Sequence, residues 1–240
     1  MPTKPYDYIA EIYSHLMKAI SYQNWAKYIV ELSSETRNKN LRILELAGGA
    51  GEIAKYLKKN YPDILLTDLS LSMLKQADAG IMKVCCDMTA LPFKSKFDFI
   101  FSTFDSVNYL FHKKEIIKFL TESEKILSDE GILTFDVSLY KNSIKHSRIL
   151  NRKGSYKGIK YRQESIYDKD TAVHTNKFHL ILENGEIVEE IHKQKIYPFY
   201  DYFEMISKTS FYVSACYHTF TFKDATADVE RAQFVLKKGK

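Results

Sequence analysis

Cysteine is scarce in this chain: three in 240 residues, with Cys85 and Cys86 adjacent and Cys216 far away. Such a set makes neither the paired spacings of a zinc site nor a disulfide framework, and it fits a reducing compartment. The seven histidines include no pair of the kind found in H-E-x-x-H, so no metal is expected. No apolar run approaches the roughly 20 residues of a membrane span. The opening residues are polar and lead into a charged amphipathic stretch, so neither a leader nor an anchor is expected and the cytoplasm is the expected compartment. Internal repeats and low-complexity segments are absent as well. The net charge of +5 permits an acidic partner without requiring one.

What is present is a patterned, apolar-rich chain, 45% hydrophobic, enough for a packed core in a single domain over residues 1–240. Apolar residues at helical spacing (Tyr8, Ile9, Ile12, Leu16; Trp25, Tyr28, Ile29, Leu32) predict two N-terminal helices within residues 1–36, with a break near Ser21. From 41 to 138 short apolar runs alternate with helical stretches. Strands are predicted at 41–46, 64–67, 82–86, 97–102 and 132–137, with helices at 50–60, 71–78 and 113–128, and Ser70 as N-cap of the second helix. This alternation predicts an α/β fold, a doubly wound parallel sheet with helices on both faces. Residues 159–197 alternate polar and apolar, with a hairpin signal at Asn184-Gly185 and a turn at Asp168-Lys169-Asp170, so 139–198 reads as an antiparallel insertion. A short helix at 199–208 and strands at 211–221 and 231–237 return the chain to the main sheet within 199–240.

The first strand runs into Gly49-Ala50-Gly51 and then into a helix. Glycines let backbone approach a ligand closely, and a helix N-terminus offers free N–H groups. The same spacing fits the dinucleotide fingerprint G-x-G-x-x-A, with Asp68 near the expected distance, so an NAD-dependent oxidoreductase is an open alternative. Three acids sharpen the choice. Glu45, near the end of an apolar strand, is costly to desolvate without a partner, and an ammonium group or the loop's own backbone donors suit it better than a pyrophosphate does. Asp68 ends the second strand, where it can take both hydroxyls of a ribose. Asp87 ends the third, where it can accept from the exocyclic amine of adenine while Met88 packs on the ring. A ribose, an adenine and an amino-acid ammonium belong to one ligand.

These residues resemble the class I S-adenosylmethionine-dependent methyltransferases, and within them the small-molecule branch of sugar N-methyltransferases and glycine N-methyltransferase-like enzymes. Glu45-Leu46-Ala47-Gly48-Gly49-Ala50-Gly51 is similar to the family's acid-x-Gly-x-Gly-x-Gly loop, departing from it at Ala47. Asp68-Leu69-Ser70-Leu71-Ser72-Met73-Leu74 resembles the ribose motif, and Asp87-Met88 with Leu91-Pro92-Phe93 the adenine motif and the loop after it. Thr103 to Leu110 resembles the wall of the methyl-donor pocket, with Phe104 nearest the sulfonium, and Tyr8 to Tyr13 resembles the N-terminal helix whose second tyrosine reaches the cofactor carboxylate. The resemblance implies S-adenosylmethionine as cofactor, contacted by Tyr13, Glu45, Ala47, Gly48, Gly49, Gly51, Asp68, Leu69, Met73, Asp87, Met88 and Phe104. It implies a Rossmann-like seven-stranded sheet whose last strand is antiparallel, an N-terminal helical cap, and the insertion as a substrate-side lid bordered by Tyr197-Pro198-Phe199-Tyr200.

Methyl transfer from a sulfonium is an in-line displacement that needs alignment and desolvation more than a nucleophilic side chain. Where an amine or hydroxyl must lose a proton, Asp105, Tyr13 and Tyr200 are the candidate bases. The chain lacks the Asn/Asp-Pro-Pro-aromatic tetrapeptide and the Pro-Cys dipeptide of several nucleic-acid and protein methyltransferases, so a small-molecule acceptor is expected rather than nucleic acid. Residues 141–162 hold eight lysines and arginines and no acid. This is either a solvated lid surface or a site for an anionic substrate such as a nucleotide-linked sugar. A non-catalytic cofactor-binding or partner-binding module stays open on fold grounds. The sequence is silent on oligomeric state.

Overall fold

A computed structural model describes residues 6–36 and 40–239. Residues 1–5, the polar start of the expected N-terminal region, lie outside the described residues. The N-terminal region is less helical than its spacing predicts. A 3-10 turn at Ile9–Glu11 and a single turn α1 (Tyr13–Leu16) precede the one full helix, α2 (Tyr22–Ser33). Ser21 stands at the predicted break and caps α2, its Oγ accepting from the Asn24 N–H at 3.3 Å.

Next come β1 (Ile43–Leu46), α3 (Glu52–Leu57), β2 (Leu65–Asp68), α4 (Leu71–Gln76), β3 (Met82–Cys85), β4 (Phe97–Ser102), α5 (Lys113–Ile126) and β5 (Leu127–Ser138). The insertion comprises α6 (Tyr140–Ile149), β6 (Arg152–Tyr156), β7 (Ile159–Asp168), β8 (Val173–Ile181) and β9 (Ile187–Lys195), and the chain ends with α7 (Phe199–Ile206), β10 (Phe211–His218) and β11 (Arg231–Lys238). Among the described residues the main sheet has seven strands in the order β10-β11-β5-β4-β1-β2-β3. β1 to β5 are parallel, and β11 enters between β5 and β10 antiparallel to both. The expected doubly wound sheet with one reversed late strand is what forms.

Strand alternation builds the core. Ile43, Phe99, Phe101, Ile132 and Val235 face α2 and α3, packing on Trp25, Ile29, Leu32, Ile53 and Leu57. The intervening Leu44, Leu46, Ile100, Leu133, Phe135, Phe234 and Leu236 face α5 and α7, against Phe119, Leu120, Tyr202 and Met205. A period of two across parallel strands delivers both layers.

The insertion is a second, four-stranded antiparallel sheet, β6-β7-β8-β9, turning at Asn184-Gly185 with Gly185 at φ +83°. Helix α6 and strand β6 were not expected. The basic run therefore spreads over a helix and two strands rather than forming one surface ribbon. Ile9, Ile12 and Leu16 pack on Ile159, Phe178, Leu180 and Val188, joining the N-terminal segment to this second sheet.

Candidate functional site

The site lies at the carboxyl ends of β1, β2 and β4, where an open parallel sheet leaves its crevice. The loop after β1 is built for close approach. Gly49 and Gly51 adopt φ of +59° and +68°, and a Cβ on Gly48 would stand 2.4 Å from the Leu66 side chain. Ala47, where the family carries glycine, is held at φ +52°, a left-handed conformation that costs an alanine about 1–2 kcal/mol.

Asp68 organises this loop. Its Oδ2 accepts the Gly49 N–H at 2.8 Å and its Oδ1 the Ser70 N–H at 2.7 Å. Ser70 also caps α4 as predicted, taking the Met73 N–H at 3.2 Å. Burial raises the Asp68 carboxyl above its ordinary pKa while those N–H donors act against the rise. Glu45 is buried on β1. Desolvation pushes it up to about 8 despite an N–H from Ala54 at the start of α3, and its Oε2 has no hydrogen-bond partner among the described residues.

Other expected contacts are placed unevenly. Leu69 is 71% exposed beside Asp68. Asp87 is exposed and accepts the Thr89 N–H at 2.7 Å, with Met88 half-buried beside it. Met73 is buried beneath Gly49. Phe104 turns toward α2, its ring 4.8 Å from that of Trp25 and 5.7 Å from that of Tyr22. Its backbone and that of Asp105 are both left-handed, at φ +59° and +51°, so the chain after β4 makes a strained corner against the glycine loop, where Ser106 Oγ reaches the Ala47 carbonyl.

Of the candidate bases, Tyr13 has its phenol raised well above the ordinary value, by burial first and then by Tyr6, Tyr22, Asp105 and Asp68. Asp105 is engaged. Its Oδ1 pairs with Arg231 Nη1 at 2.9 Å, its Oδ2 accepts from Gln194 Nε2 at 2.9 Å, and its N–H donates to Asp136 Oδ2 at 3.0 Å. Arg231 also pairs with Asp136, whose carboxyl burial still pushes up to about 6. Tyr200 is 71% exposed, and its ring contacts are Phe199 and Phe203 of its own helix, so nothing ties it to the glycine loop.

Sequence reasoning did not foresee the contacts that join the second sheet to the site. Asn108 donates to the Ser138 and Lys195 carbonyls and accepts the Ser138 N–H, pinning the β4 loop to β5 and to the end of β9. Arg231 and Asp136 meet only because β11 lies beside β5. Tyr6, Tyr109, His192 and Glu190 form a hydrogen-bonded chain between the N-terminal segment, the β4 loop and β9. Asn108 and Tyr109 fall within the Thr103–Leu110 stretch that the sequence marks as a pocket wall, and Asp136 alternates with apolar residues within Thr134–Val137, but neither signal named their partners. The described residues hold no cluster of acids, histidines and cysteines able to bind a metal, and no helix is long and apolar enough to cross a membrane.

Comparison with known proteins bears on this geometry. A family model described as a methyltransferase domain matches residues 43–131. The chain is 29% identical over 98% of its length, and 98% of the relative's, to YqeM of Bacillus subtilis (strain 168), provisionally named a methyltransferase. It is similar in fold to an S-adenosylmethionine-dependent methyltransferase from Clostridium acetobutylicum ATCC 824, with TM-score 0.78, 22% identity, and 98% of this chain and 99% of that one covered. The sugar N-methyltransferase KedS8 from Streptoalloteichus sp. ATCC 53650 superposes with TM-score 0.74 at 16% identity, covering 93% of this chain and 90% of its own. The glycine cradle suits either ligand, whereas the orphaned oxygen of Glu45 suits an ammonium group, which a dinucleotide does not carry. Residues 43–131 thus match a methyltransferase domain, and the chain as a whole has the fold of the S-adenosylmethionine-dependent methyltransferase to which it is similar.

Proposed function

We propose that the acceptor is a small molecule carrying an amine or hydroxyl, and that its anionic portion is held by the lid. The observation that carries this reading is a cleft of about 450 Å³ lined by Tyr140, Lys141, Ile144, Ser147, Arg148, Tyr167 and Lys169. Two tyrosines whose rings meet edge to face at 5.8 Å stand there with three cations, a combination suited to a phosphorylated or nucleotide-linked compound. Lys141 is shared with Asp228 at 3.0 Å, an exposed pair that an anion can displace at little cost. KedS8 is named for its action on a sugar nitrogen, which makes amino sugars the first compounds to test.

The cofactor supplies a methyl group on a positively charged sulfur. In this reading Asp68 takes the ribose hydroxyls, Glu45 faces the ammonium, and Leu69 covers one side of the adenine, with Asp87 at its amine. Tyr6, Tyr13 and Tyr109, whose phenols burial raises, keep water from the transferred group in this reading. Arg231 holds Asp105 and Asp136 in place from behind.

The test is calorimetry with S-adenosylhomocysteine on the wild type and Asp68→Ala, followed by a screen for S-adenosylhomocysteine release with amines, alcohols, carboxylic acids and nucleotide-linked amino sugars. A hit whose KM rises with salt and in Arg148→Ala supports the lid assignment. A neutral acceptor indifferent to both sinks it.

A further inference from the structure

Four side chains distant in sequence join end to end beside the cofactor loop. Tyr6 Oη lies 2.8 Å from Tyr109 Oη, Tyr109 Oη lies 3.2 Å from His192 Nδ1, and His192 Nε2 lies 2.7 Å from Glu190 Oε1. His192 and Glu190 are 3% and 0% exposed. The donors fix a direction. Glu190 accepts backbone N–H groups from Tyr6, Tyr8 and Ile9 as well as the imidazole, and this set holds its carboxyl below the usual range. An ionised carboxylate facing Nε2 places the imidazole proton there, leaving the Nδ1 lone pair to accept from Tyr109. Tyr109 then accepts from Tyr6, and no group among the described residues donates to the Tyr6 oxygen.

We infer that Tyr6, Tyr109 and His192 relay a proton away from the methyl acceptor, with Glu190 as the counter-charge. The inference rests on the proposed acceptor, an amine or hydroxyl that must lose a proton. In the step, the acceptor lone pair forms the new bond to the methyl carbon while the carbon–sulfur bonding pair stays on sulfur. The acceptor proton passes to the Tyr6 oxygen, the Tyr6 proton to Tyr109 and the Tyr109 proton to His192 Nδ1, giving an imidazolium beside the Glu190 carboxylate. Atoms and charge balance without a co-reactant. The arrangement follows the logic of an acid-oriented histidine acting on a hydroxyl, lengthened by one tyrosine.

Position supports the same reading. Tyr6 is held from both sides, with its carbonyl accepting from Ser70 Oγ beside Asp68 and its ring 4.5 Å from the His192 ring. Its backbone stands at φ +66°, a strained conformation for a tyrosine that the Glu190 contact maintains. Tyr109 sits at the end of the strained corner after β4. In this scheme Tyr6 is the catalytic residue, and Tyr109, His192 and Glu190 act through it. The titratable groups around the imidazole are Glu190, Tyr6 and Tyr109, with Tyr13 and Asp105 next beyond.

The test uses the full chain labelled with ¹⁵N-histidine, saturated with S-adenosylhomocysteine and titrated by NMR. His192 is expected with its proton on Nε2 and an Nδ1 resonance that moves in Tyr109→Phe and, by less, in Tyr6→Phe. Glu190→Gln is expected to move the His192 Nε2 resonance; should that variant unfold, the two phenylalanine variants carry the test. A proton on Nδ1, or a Tyr6→Phe variant without effect there, overturns the relay. With an acceptor from the screen, Tyr6→Phe is expected to lower kcat about a hundredfold while S-adenosylhomocysteine affinity holds. Equal losses in both mean a structural clasp and also overturn it. Failure of the wild type to bind S-adenosylhomocysteine would instead strike the cofactor assignment, and a proton-free acceptor would strike the proposed function.

Discussion

The cofactor side and the acceptor side of this crevice are assembled by opposite means. On the cofactor side each functional group sits within a few residues of the strand that presents it, as with Glu45, Gly49 and Gly51 around β1, Asp68 and Leu69 after β2, and Asp87 after β3. On the acceptor side every important contact is long-range: Tyr6 to Tyr109, Tyr109 to His192, Arg231 to Asp105 and Asp136, Asn108 to Lys195. A local motif can be conserved as a string, whereas a long-range network exists only once the sheet has formed. Perturbations should therefore act locally on the first side and spread on the second.

The largest expected effect tests the acceptor side. Arg231→Met leaves Asp105 and the buried Asp136 without their cation, and should destabilise the fold by about 3–5 kcal/mol at pH 7 in urea denaturation. The deficit should shrink toward pH 5, because protonating Asp136 relieves the uncompensated charge. A loss below 1 kcal/mol would mean the network is as local as the glycine loop.

Next in size is Glu45→Gln. The folded-state pKa of about 8 lies above the ordinary value of 4.5, so the folded protein holds the proton more tightly, and wild-type stability falls as pH rises between those values. The total is about 3–5 kcal/mol. Glu45→Gln should flatten that slope, stabilise the ligand-free protein at pH 8 and weaken S-adenosylhomocysteine binding. Parallel slopes for both proteins would contradict it.

On the proposed ribose contact, Asp68→Ala should raise the S-adenosylhomocysteine Kd about a hundredfold by calorimetry. Lys169→Ala, in the lid, should leave that Kd unchanged. If both weaken binding alike, the two sides are not separable. The smallest effect is expected from Ala47→Gly, which relieves the left-handed backbone and should stabilise the protein by about 1 kcal/mol, seen as a Tm higher by roughly 2–4 °C.

The same contrast explains what the sequence disclosed. The parallel core was legible because buried strands read as apolar runs and each ends in an acid or glycine. The lid strands β7 to β9 were legible from alternation and from Asn184-Gly185. Helix α6 was not, since its polar run Lys141 to Ser147 lacks a broad apolar stripe and only Asn142 and Ser143 are buried on it. Strand β5 is longer than its apolar run because Leu127 to Gly131 are carried into it directly from α5. Tyr13 and Asp105 were named from the sequence, but the partner that occupies Asp105, Arg231, lies 126 positions away and no local pattern announces it. Tyr200 was drawn in by an aromatic cluster whose contacts prove to be among its own helix neighbours.

The insertion of β11 between β5 and β10 bears on how the protein is made. Every residue of the glycine loop and its acids leaves the ribosome long before Arg231, which is carried on a strand translated after all the others described. A nascent chain stopped short of β11 has the means to hold the cofactor but leaves Asp105 and Asp136 uncompensated and the sheet open at β5. Closure of the sheet beside the crevice is thus withheld until synthesis reaches the last described strand.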